Sequence, residues 1–457
     1  MLFPRQTKTK MTNAKPILTL SLLFVCLYTN AQMTLRECMQ YAVENSAKMK
    51  IRQTETDNAR ISRRDAVLQA FTPFISGNTS AGYSFGRSIN PETNTYFTSV
   101  SFNNAYSLNL SISLFDGFSA VNNLKITRTA MAMGKNREQQ EADAICLATM
   151  EAYYNAVYYD QLLEIVSAQV ETARQSLNLA RRQEELGQKG YADVVQTEAE
   201  LSDRQYQQVT ARNAYNDAML TLKDLMFWPM DQELDIDTSM AGNADVLDPQ
   251  GELVTTEIIS NAQNSMPKAF IAKGEMANAK RELSTAKWQM APSLSLGGSI
   301  STGYYNYPGQ SGYTAMSFGH QFKNNLGEYI GLSLTIPIYG RLSGQSSISR
   351  KKNAYKKAQT QYDQTMRDIE TEVRRAVQDR DGASSAFLQA DKRASVQEEA
   401  YRLNSKKFEQ GLISPIELQN ATNNYLNAKT ERLNSLLKYY IKRSIVLYYN
   451  GINYLNQ

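Results

Sequence analysis

The sequence repeats one pattern twice, at matched spacing. Two stretches of alternating apolar and polar residues end at 113–117, Ser-Leu-Phe-Asp-Gly, and at 337–340, Pro-Ile-Tyr-Gly. From Phe115 to Gly187 and from Tyr339 to Gly411 the chain runs through equal intervals of 72 residues, and neither interval contains proline. At about 1.5 Å per residue, a helix of that length extends roughly 100 Å. A duplicated unit of strands and very long helices is more typical of a conduit than of a catalyst.

The N-terminus has the pattern of an export signal. Three lysines precede an apolar run at 17–28, and small residues follow at Thr29 and Ala31. This predicts a secretory signal peptide over residues 1–31, cleaved before Gln32. The run is too short to span a bilayer as a helix. Lipidation at Cys26 is a less favoured alternative, because no small residues precede that cysteine.

Charge and cysteine content exclude some functions. Removing residues 1–31 deletes four basic residues and no acids, which takes the formal charge from +4 to zero. Nucleic-acid binding therefore has no electrostatic support. Cys38 and Cys146 remain; a disulfide is possible, but two buried small residues are the commoner case. No later segment is long and apolar enough for a transmembrane helix, so any membrane crossing must use strands.

Four segments have the period-two pattern of strands. The predicted strands cover residues 74–86, 104–115, 293–305 and 328–339, and they are joined in pairs by outer loops at 87–101 and 306–326. Their polar positions are mostly Ser, Thr, Asn and Gly, as expected for a wet barrel lumen, and their apolar positions are suited to lipid. A soluble sandwich with one buried face is the alternative. Four such strands after a signal peptide favour the membrane barrel.

The number of strands has a consequence for assembly. Four strands cannot close a barrel, and an open sheet edge is not tolerated within a bilayer. Closed membrane barrels commonly have eight strands or more. The chain is therefore expected to contribute its strands to an oligomer.

The remaining sequence predicts a mostly α-helical chain built from two copies. The first repeat covers 32–228 with a helical hairpin at about 118–228, a connector covers 229–251, and the second repeat covers 252–457 with a hairpin at about 341–449. Ser414-Pro415-Ile416-Glu417 predicts a capping box at the second turn. Without the strands, this pattern would favour a structural periplasmic coiled coil, which is the alternative from another functional class.

Residues typical of catalysis and cofactor binding are sparse. The single histidine, His320, lies in a predicted loop, and the chain has no phosphate-binding loop and no paired-cysteine motif. We therefore expect neither an enzyme nor a bound cofactor or metal.

The chain resembles the TolC-type outer-membrane efflux proteins, also called outer-membrane factors, over essentially the whole mature sequence. The resemblance rests on the duplicated order of helix, two strands and long hairpin, on the two strand ends, and on the hairpin turns. In both turns a glycine is followed six residues later by an acid, from Gly187 to Asp193 and from Gly411 to Glu417.

The resemblance implies a homotrimer with a shared β-barrel in outer-membrane lipid and a long α-helical periplasmic tunnel. Such a protein is a passive outer-membrane channel of a tripartite efflux system, working with a periplasmic adaptor and an inner-membrane pump. A duct for type I protein secretion is the alternative within the family. The turns would dock the adaptor, through the residues Gly187, Gly190, Gly411, Ser414 and Pro415.

The resemblance also places residues at the tunnel's inner aperture. Glu417 lies at the position of an aspartate ring, Asn420 at a second aspartate, Phe408 at a gating tyrosine and Ile413 at a latch arginine. Because Asn420 and Ile413 carry no charge and Phe408 lacks a hydroxyl group, the family's latch is not reproduced. Asp193 and Glu417 are still expected to ring the opening and to favour cations. A role as helix cap alone is the alternative for Glu417.

Overall fold

The structure is a computed structural model that describes residues 32–89, 93–239, 254–308 and 313–457. The predicted signal peptide and most of the predicted connector lie outside these ranges. The elements of the first half are α1 (Leu35–Asn45), α2 (Ala47–Phe71), β1 (Phe74–Ile89), β2 (Tyr96–Phe115), α3 (Ser119–Glu185) and α4 (Tyr191–Met226). Those of the second half are α5 (Thr255–Ser265), α6 (Pro267–Trp288), β3 (Ser293–Asn306), α7 (Phe318–Asn324), β4 (Gly327–Thr335), α8 (Ser343–Glu409) and α9 (Pro415–Tyr449).

Among the described residues, the two halves have the same order of helices and strands, and α7 is an additional helix of the second half. Helices α3 and α8 contain 67 residues each, which corresponds to roughly 100 Å of helix. Each returns along a shorter helix, α4 or α9, to form a hairpin. The fold is therefore mostly α with one small antiparallel sheet, and the duplicated architecture expected from the sequence is confirmed.

Local sequence signals explain where several helices begin and end. Thr34 and Glu37 form a capping box at the start of α1. Helix α2 ends just before Pro73, since the residue preceding a proline disfavours helical geometry. Helix α6 begins at Pro267, because proline at the first helical position loses no hydrogen bond.

The strands differ in length from the sequence pattern. β1 and β2 extend through most of residues 87–101, where a loop is predicted. β4 ends at Thr335, short of the predicted 339. Pro337 follows, and proline has no amide hydrogen for a sheet ladder. The predicted loop at 306–326 contains the short helix α7, and His320 lies on that helix.

The four strands form one antiparallel sheet in the order β1-β2-β3-β4. The two copies join where β2 pairs with β3, from Phe102 opposite Asn306 to Phe115 opposite Leu294. Beyond Gly327, the first residue of β4, the buried Gln321 side chain of α7 accepts from the N–H of Tyr305 and donates to the C=O of Tyr305, at 3.0 Å each. This amide takes the place of a neighbouring strand at the β3 edge.

The main hydrophobic core lies where α1, α3, α4 and α9 meet. Tyr153 is fully buried at its centre, and its hydroxyl donates to the carbonyl of Asp237 at 2.6 Å. Cys38 and Cys146 belong to the same cluster as free, buried thiols. Burial raises the pKa of each thiol to about 12, so both act as small apolar residues.

The second copy contains a separate hydrophobic core. Ile258 of α5 packs against Ile369 and Val373 of α8, and all three are fully buried. Across the described ranges, no helix is both long and apolar enough to cross a membrane.

Candidate functional site

The hairpin turns have the same backbone geometry in both copies. Gly187 and Gly411 have φ angles of 70° and 73°, a left-handed conformation that glycine adopts without steric cost. The next amide bonds back across the turn in each case, from Gln188 to the carbonyl of Gln183 at 2.8 Å and from Leu412 to that of Lys407 at 2.9 Å. These bonds satisfy the terminal carbonyls of α3 and α8, as in a Schellman motif.

An acid caps each returning helix. The Glu417 carboxylate accepts from the backbone N–H of Ser414 at 2.8 Å and from its hydroxyl at 3.1 Å, while the Glu417 N–H donates to that hydroxyl oxygen at 3.3 Å. The predicted capping box is confirmed. In the first copy the Asp193 carboxylate accepts from the N–H of Gly190 at 3.3 Å. Pro415 occupies the first position of α9.

The hydrogen bonds at Glu417 keep its carboxyl group charged. The backbone N–H of Ser414, followed by its hydroxyl, holds the pKa of Glu417 below the ordinary value for glutamate. The side chain is exposed at the tip of the hairpin. Glu417 therefore caps α9 and is exposed at the same time, and its charged carboxylate lies at the tip of the hairpin.

The other predicted aperture residues lie close to this tip in different environments. Asn420 is exposed on α9, and Ile413 is half-buried in the turn. Phe408 is only 6% exposed, so its ring belongs to a packed contact rather than to an open surface.

Phe408 contacts a cation that was not among the residues predicted from the sequence. Lys189, in the turn of the first hairpin, places its Nζ 4.4 Å from the centroid of the Phe408 ring. This distance is typical of a cation–π contact. Lys189 and Ile413 each lie two residues after the turn glycine, so the alignment of the two copies places a cation in the first turn where the second turn has an apolar residue.

Arg204 provides a second connection between the hairpins. This residue of α4 is 2% exposed, and its guanidinium donates to Asn423 of α9 and to Gln207. Its Nη2 lies 3.6 Å from Glu200 Oε1. Burial raises the pKa of Glu200, and the nearby Arg204 charge opposes that rise. A buried arginine on a long polar helix has no distinctive sequence signal, so only the structure identifies it.

A cavity of about 230 Å³ lies between the hairpins above the turns. Phe408, Tyr401 and Pro415 line it from the second hairpin, and Thr197 and Glu200 line it from the first. The structure therefore brings Phe408 and Pro415 into one site. Among the described residues, His, Cys, Asp and Glu form no group of three that could hold a metal ion.

The opposite end of the molecule has two chemically distinct sheet faces. The strand register places Ile75, Leu110, Gly298 and Ile330 in one row across the sheet. Ile75 and Ile330 are 59% and 78% exposed. Asn78, Ser107 and Ser301 form a row on the other face. The sheet thus exposes an apolar face and a small polar face.

Comparisons with known proteins agree with this architecture. The chain is 22% identical over 408 residues to the outer membrane protein TolC of Vibrio cholerae, covering 87% of this chain and 88% of that protein. Among solved structures, it superposes on the CmeC outer membrane channel of Campylobacter jejuni with a TM-score of 0.73, at 17% identity and over 92% and 85% of the two chains. The open state of the MtrE outer membrane channel of Neisseria gonorrhoeae gives a TM-score of 0.71, at 16% identity and over 92% and 88%.

The family model described as "Outer membrane efflux protein" matches residues 41–226 and 264–444. These two segments correspond to the two copies of the repeat and cover both long hairpins except for the last five residues of α9. The chain therefore belongs to the outer membrane efflux protein family.

Proposed function

We propose that this chain is the outer-membrane duct of a tripartite export system, acting as a homotrimer with a periplasmic adaptor and an inner-membrane pump. As a member of its family, the chain is an outer-membrane efflux channel and not an enzyme. Three copies would close one barrel from four strands each, and their hairpins would line a periplasmic tunnel. An N-terminal signal peptide would direct export.

The single observation that carries this proposal is the four-stranded sheet with one apolar exposed face. β1 and β4 each have a strand neighbour on one side only among the described strands. On β4, Leu332 and Leu334 are 66% and 61% exposed. A sheet with these faces becomes stable when its edges pair with other copies and its apolar face meets lipid.

The two hairpin turns, at the end of the molecule opposite the sheet, have exposed side chains suited to docking a partner. Leu186, Tyr191 and Leu412 are 67%, 72% and 68% exposed at the two turns. Exposed apolar side chains grouped at one tip are typical of a protein interface. These side chains surround the turn residues Gly187, Gly190, Gly411, Ser414 and Pro415, which we propose as the adaptor-docking end.

We also propose that Asp193 and Glu417 line the tunnel aperture, with Asn420 and Ile413 beside them and the buried Phe408 ring packed behind this surface. Three copies of each acid would give a negative ring that favours cations. The Lys189–Phe408 contact would hold the two turns of one chain together in place of a charged latch at position 413.

Substitutions on the two sheet faces test the duct. Leu332→Lys places a charge on the apolar face, where it costs about 2–4 kcal/mol near the bilayer centre. We expect loss of the outer-membrane trimer, measured by fractionation and by mass in detergent. Ser333→Lys, on the opposite face, should retain the trimer and change the single-channel conductance in planar bilayers. A wild-type protein that is monomeric and periplasmic would contradict the proposal. Equal effects of the two substitutions would also contradict it.

A further inference from the structure

The helices next to the sheet carry an excess of positive charge that the duct itself does not require. The central part of the sheet has no Lys, Arg, Asp or Glu over residues 74–85, 102–115, 293–307 and 329–339. Large exposed aromatic residues follow at the junction with the helices, where Phe71, Trp288 and Tyr339 are 72%, 46% and 80% exposed. Aromatic side chains at such a boundary are typical of a membrane–water interface.

Basic residues follow this boundary on four neighbouring helices. On α8 and the loop before it, Arg341, Arg350 and Lys352 are exposed, and the sequence has no Asp or Glu from 341 until Asp363. The equivalent ends of α2, α3 and α6 contribute further exposed cations. We define the basic collar as Arg63, Lys125, Lys287, Arg341, Arg350 and Lys352.

The carboxylates near the junction do not neutralise these cations. Asp65 lies 3.4 Å from Arg64, Glu282 lies 2.7 Å from Lys351, and the Asp116 carboxylate accepts from the N–H of Ala120 at 2.9 Å. Within the described part of the chain, no carboxylate lies within ion-pair distance of any collar residue. The collar therefore presents uncompensated positive charge.

The position of the collar suits lipid headgroups. Arg350 is seven residues into α8, and Arg63 is eight residues before the end of α2, so both lie within roughly 12 Å of the helix ends. The headgroup layer of one leaflet is about 5–7 Å thick. Long Lys and Arg side chains can extend along the protein to place their charges in that layer.

We propose that the basic collar binds the phosphate groups of anionic phospholipids in the leaflet next to the helices. This inference rests on the proposed function, because it requires the sheet to lie in a bilayer. Phosphate has the complementary charge, and it accepts several hydrogen bonds from guanidinium and ammonium groups. The collar would fix the depth of the duct in the membrane and favour membranes rich in anionic lipid.

The test uses the full chain, purified in a neutral detergent. Bound phosphatidylglycerol and phosphatidylcholine with identical acyl chains are counted by native mass spectrometry. The variant combines Arg350→Gln with Lys352→Gln. Its matched control combines Lys392→Gln with Arg393→Gln, an exposed basic pair further along the same helix.

We expect the wild type and the control to prefer phosphatidylglycerol, and the collar variant to bind it on the order of tenfold more weakly. Equal weakening in the control, or no preference in the wild type, would overturn the inference. Displacement of the bound phosphatidylglycerol by millimolar inorganic phosphate would instead identify a general anion site. A change in ion selectivity with unchanged lipid binding would place the collar in the lumen, and either result overturns the inference.

A second measurement separates this inference from the proposed function. The wild type is reconstituted in bilayers of pure phosphatidylcholine. If the wild type conducts in these bilayers but shows no lipid preference in detergent, only the inference that the basic collar binds anionic lipid is overturned. Failure to insert or conduct in any bilayer would count against the duct itself.

Discussion

Lys189 Nζ lies 4.4 Å from the centroid of the Phe408 ring, so the first hairpin's turn contacts the last turn of the second hairpin's long helix. This contact joins two turns that are far apart in sequence. Phe408 is nearly buried, which shields part of the interaction from water. The pair is therefore expected to hold the two turns together.

Lys189→Met should weaken this contact, because it removes the charge while keeping an apolar side chain of similar length. We expect a coupling energy of about 0.5–1 kcal/mol between Lys189→Met and Phe408→Leu. Hydrogen exchange at the amides of Gln188 and Leu412 measures the opening of the turns. Lys392→Met is the matched control. Strictly additive effects of Lys189→Met and Phe408→Leu would exclude the coupling.

Glu417→Gln should lower the cation selectivity of single channels in planar bilayers, because it removes one negative charge per chain at the proposed aperture. Since the bonds from Ser414 lower the pKa of Glu417, wild-type selectivity should persist as the pH falls to 5. Ser414→Ala is the control: it removes both hydrogen bonds of the Ser414 hydroxyl, costs about 1 kcal/mol of stability and keeps the carboxylate. Unchanged selectivity in Glu417→Gln would leave this residue only a capping role.

Gly411→Ala should destabilise the second turn through its backbone alone. The φ angle is 73°, and an added Cβ would meet no atom within 4 Å. The expected cost is about 1–2 kcal/mol, which is the steric penalty of the left-handed conformation. Gly382→Ala, at an exposed site inside α8, should instead stabilise the helix by about 0.5–1 kcal/mol. Thermal unfolding compares the two, and shifts of the same sign would contradict this account.

Tyr448→Phe should destabilise the junction of α3 and α9. The Tyr448 hydroxyl donates to the Asp143 carboxylate at 2.7 Å, and Asp143 is 5% exposed. Removing this donor from a buried carboxylate should cost about 1.5–3 kcal/mol at pH 7. Phenylalanine keeps the ring that stacks on Tyr454, so packing is largely preserved. Chemical denaturation measures the change.

This cost should depend on pH. Burial raises the pKa of Asp143 above its ordinary value of 3.8, although Tyr448 and Gln139 oppose the rise. The folded state therefore binds this proton more tightly than the unfolded state, and Asp143 becomes less destabilising as the pH falls through its raised pKa towards 3.8. A neutral carboxyl group needs its donor less, so the difference between Tyr448→Phe and wild type should narrow near pH 4. A constant difference from pH 7 to 4 would contradict this mechanism.

Several local features of the fold could be predicted from the sequence, because they depend on residues close together in the chain. The capping box at Ser414 and Glu417 and the helix start at Pro267 require only neighbouring residues. The strands could be recognised from their period of two. The ends of the strands could not be recognised in this way, since pairing of β1 with β2 continues through residues 87–89 and 96–101, where apolar and polar residues do not alternate regularly.

The sequence by itself determined the duplicated unit, its long helices and its strands, because periodicity and turn chemistry act within each segment. Only the tertiary structure decided which distant residues meet: Lys189 with Phe408, Arg204 with Asn423, and Tyr448 with Asp143. Long polar helices have narrow apolar seams, so their sequences leave the rotation and stagger of the hairpins open. Packing of the two copies around a shared sheet and core selects one arrangement, and that arrangement brings these pairs together.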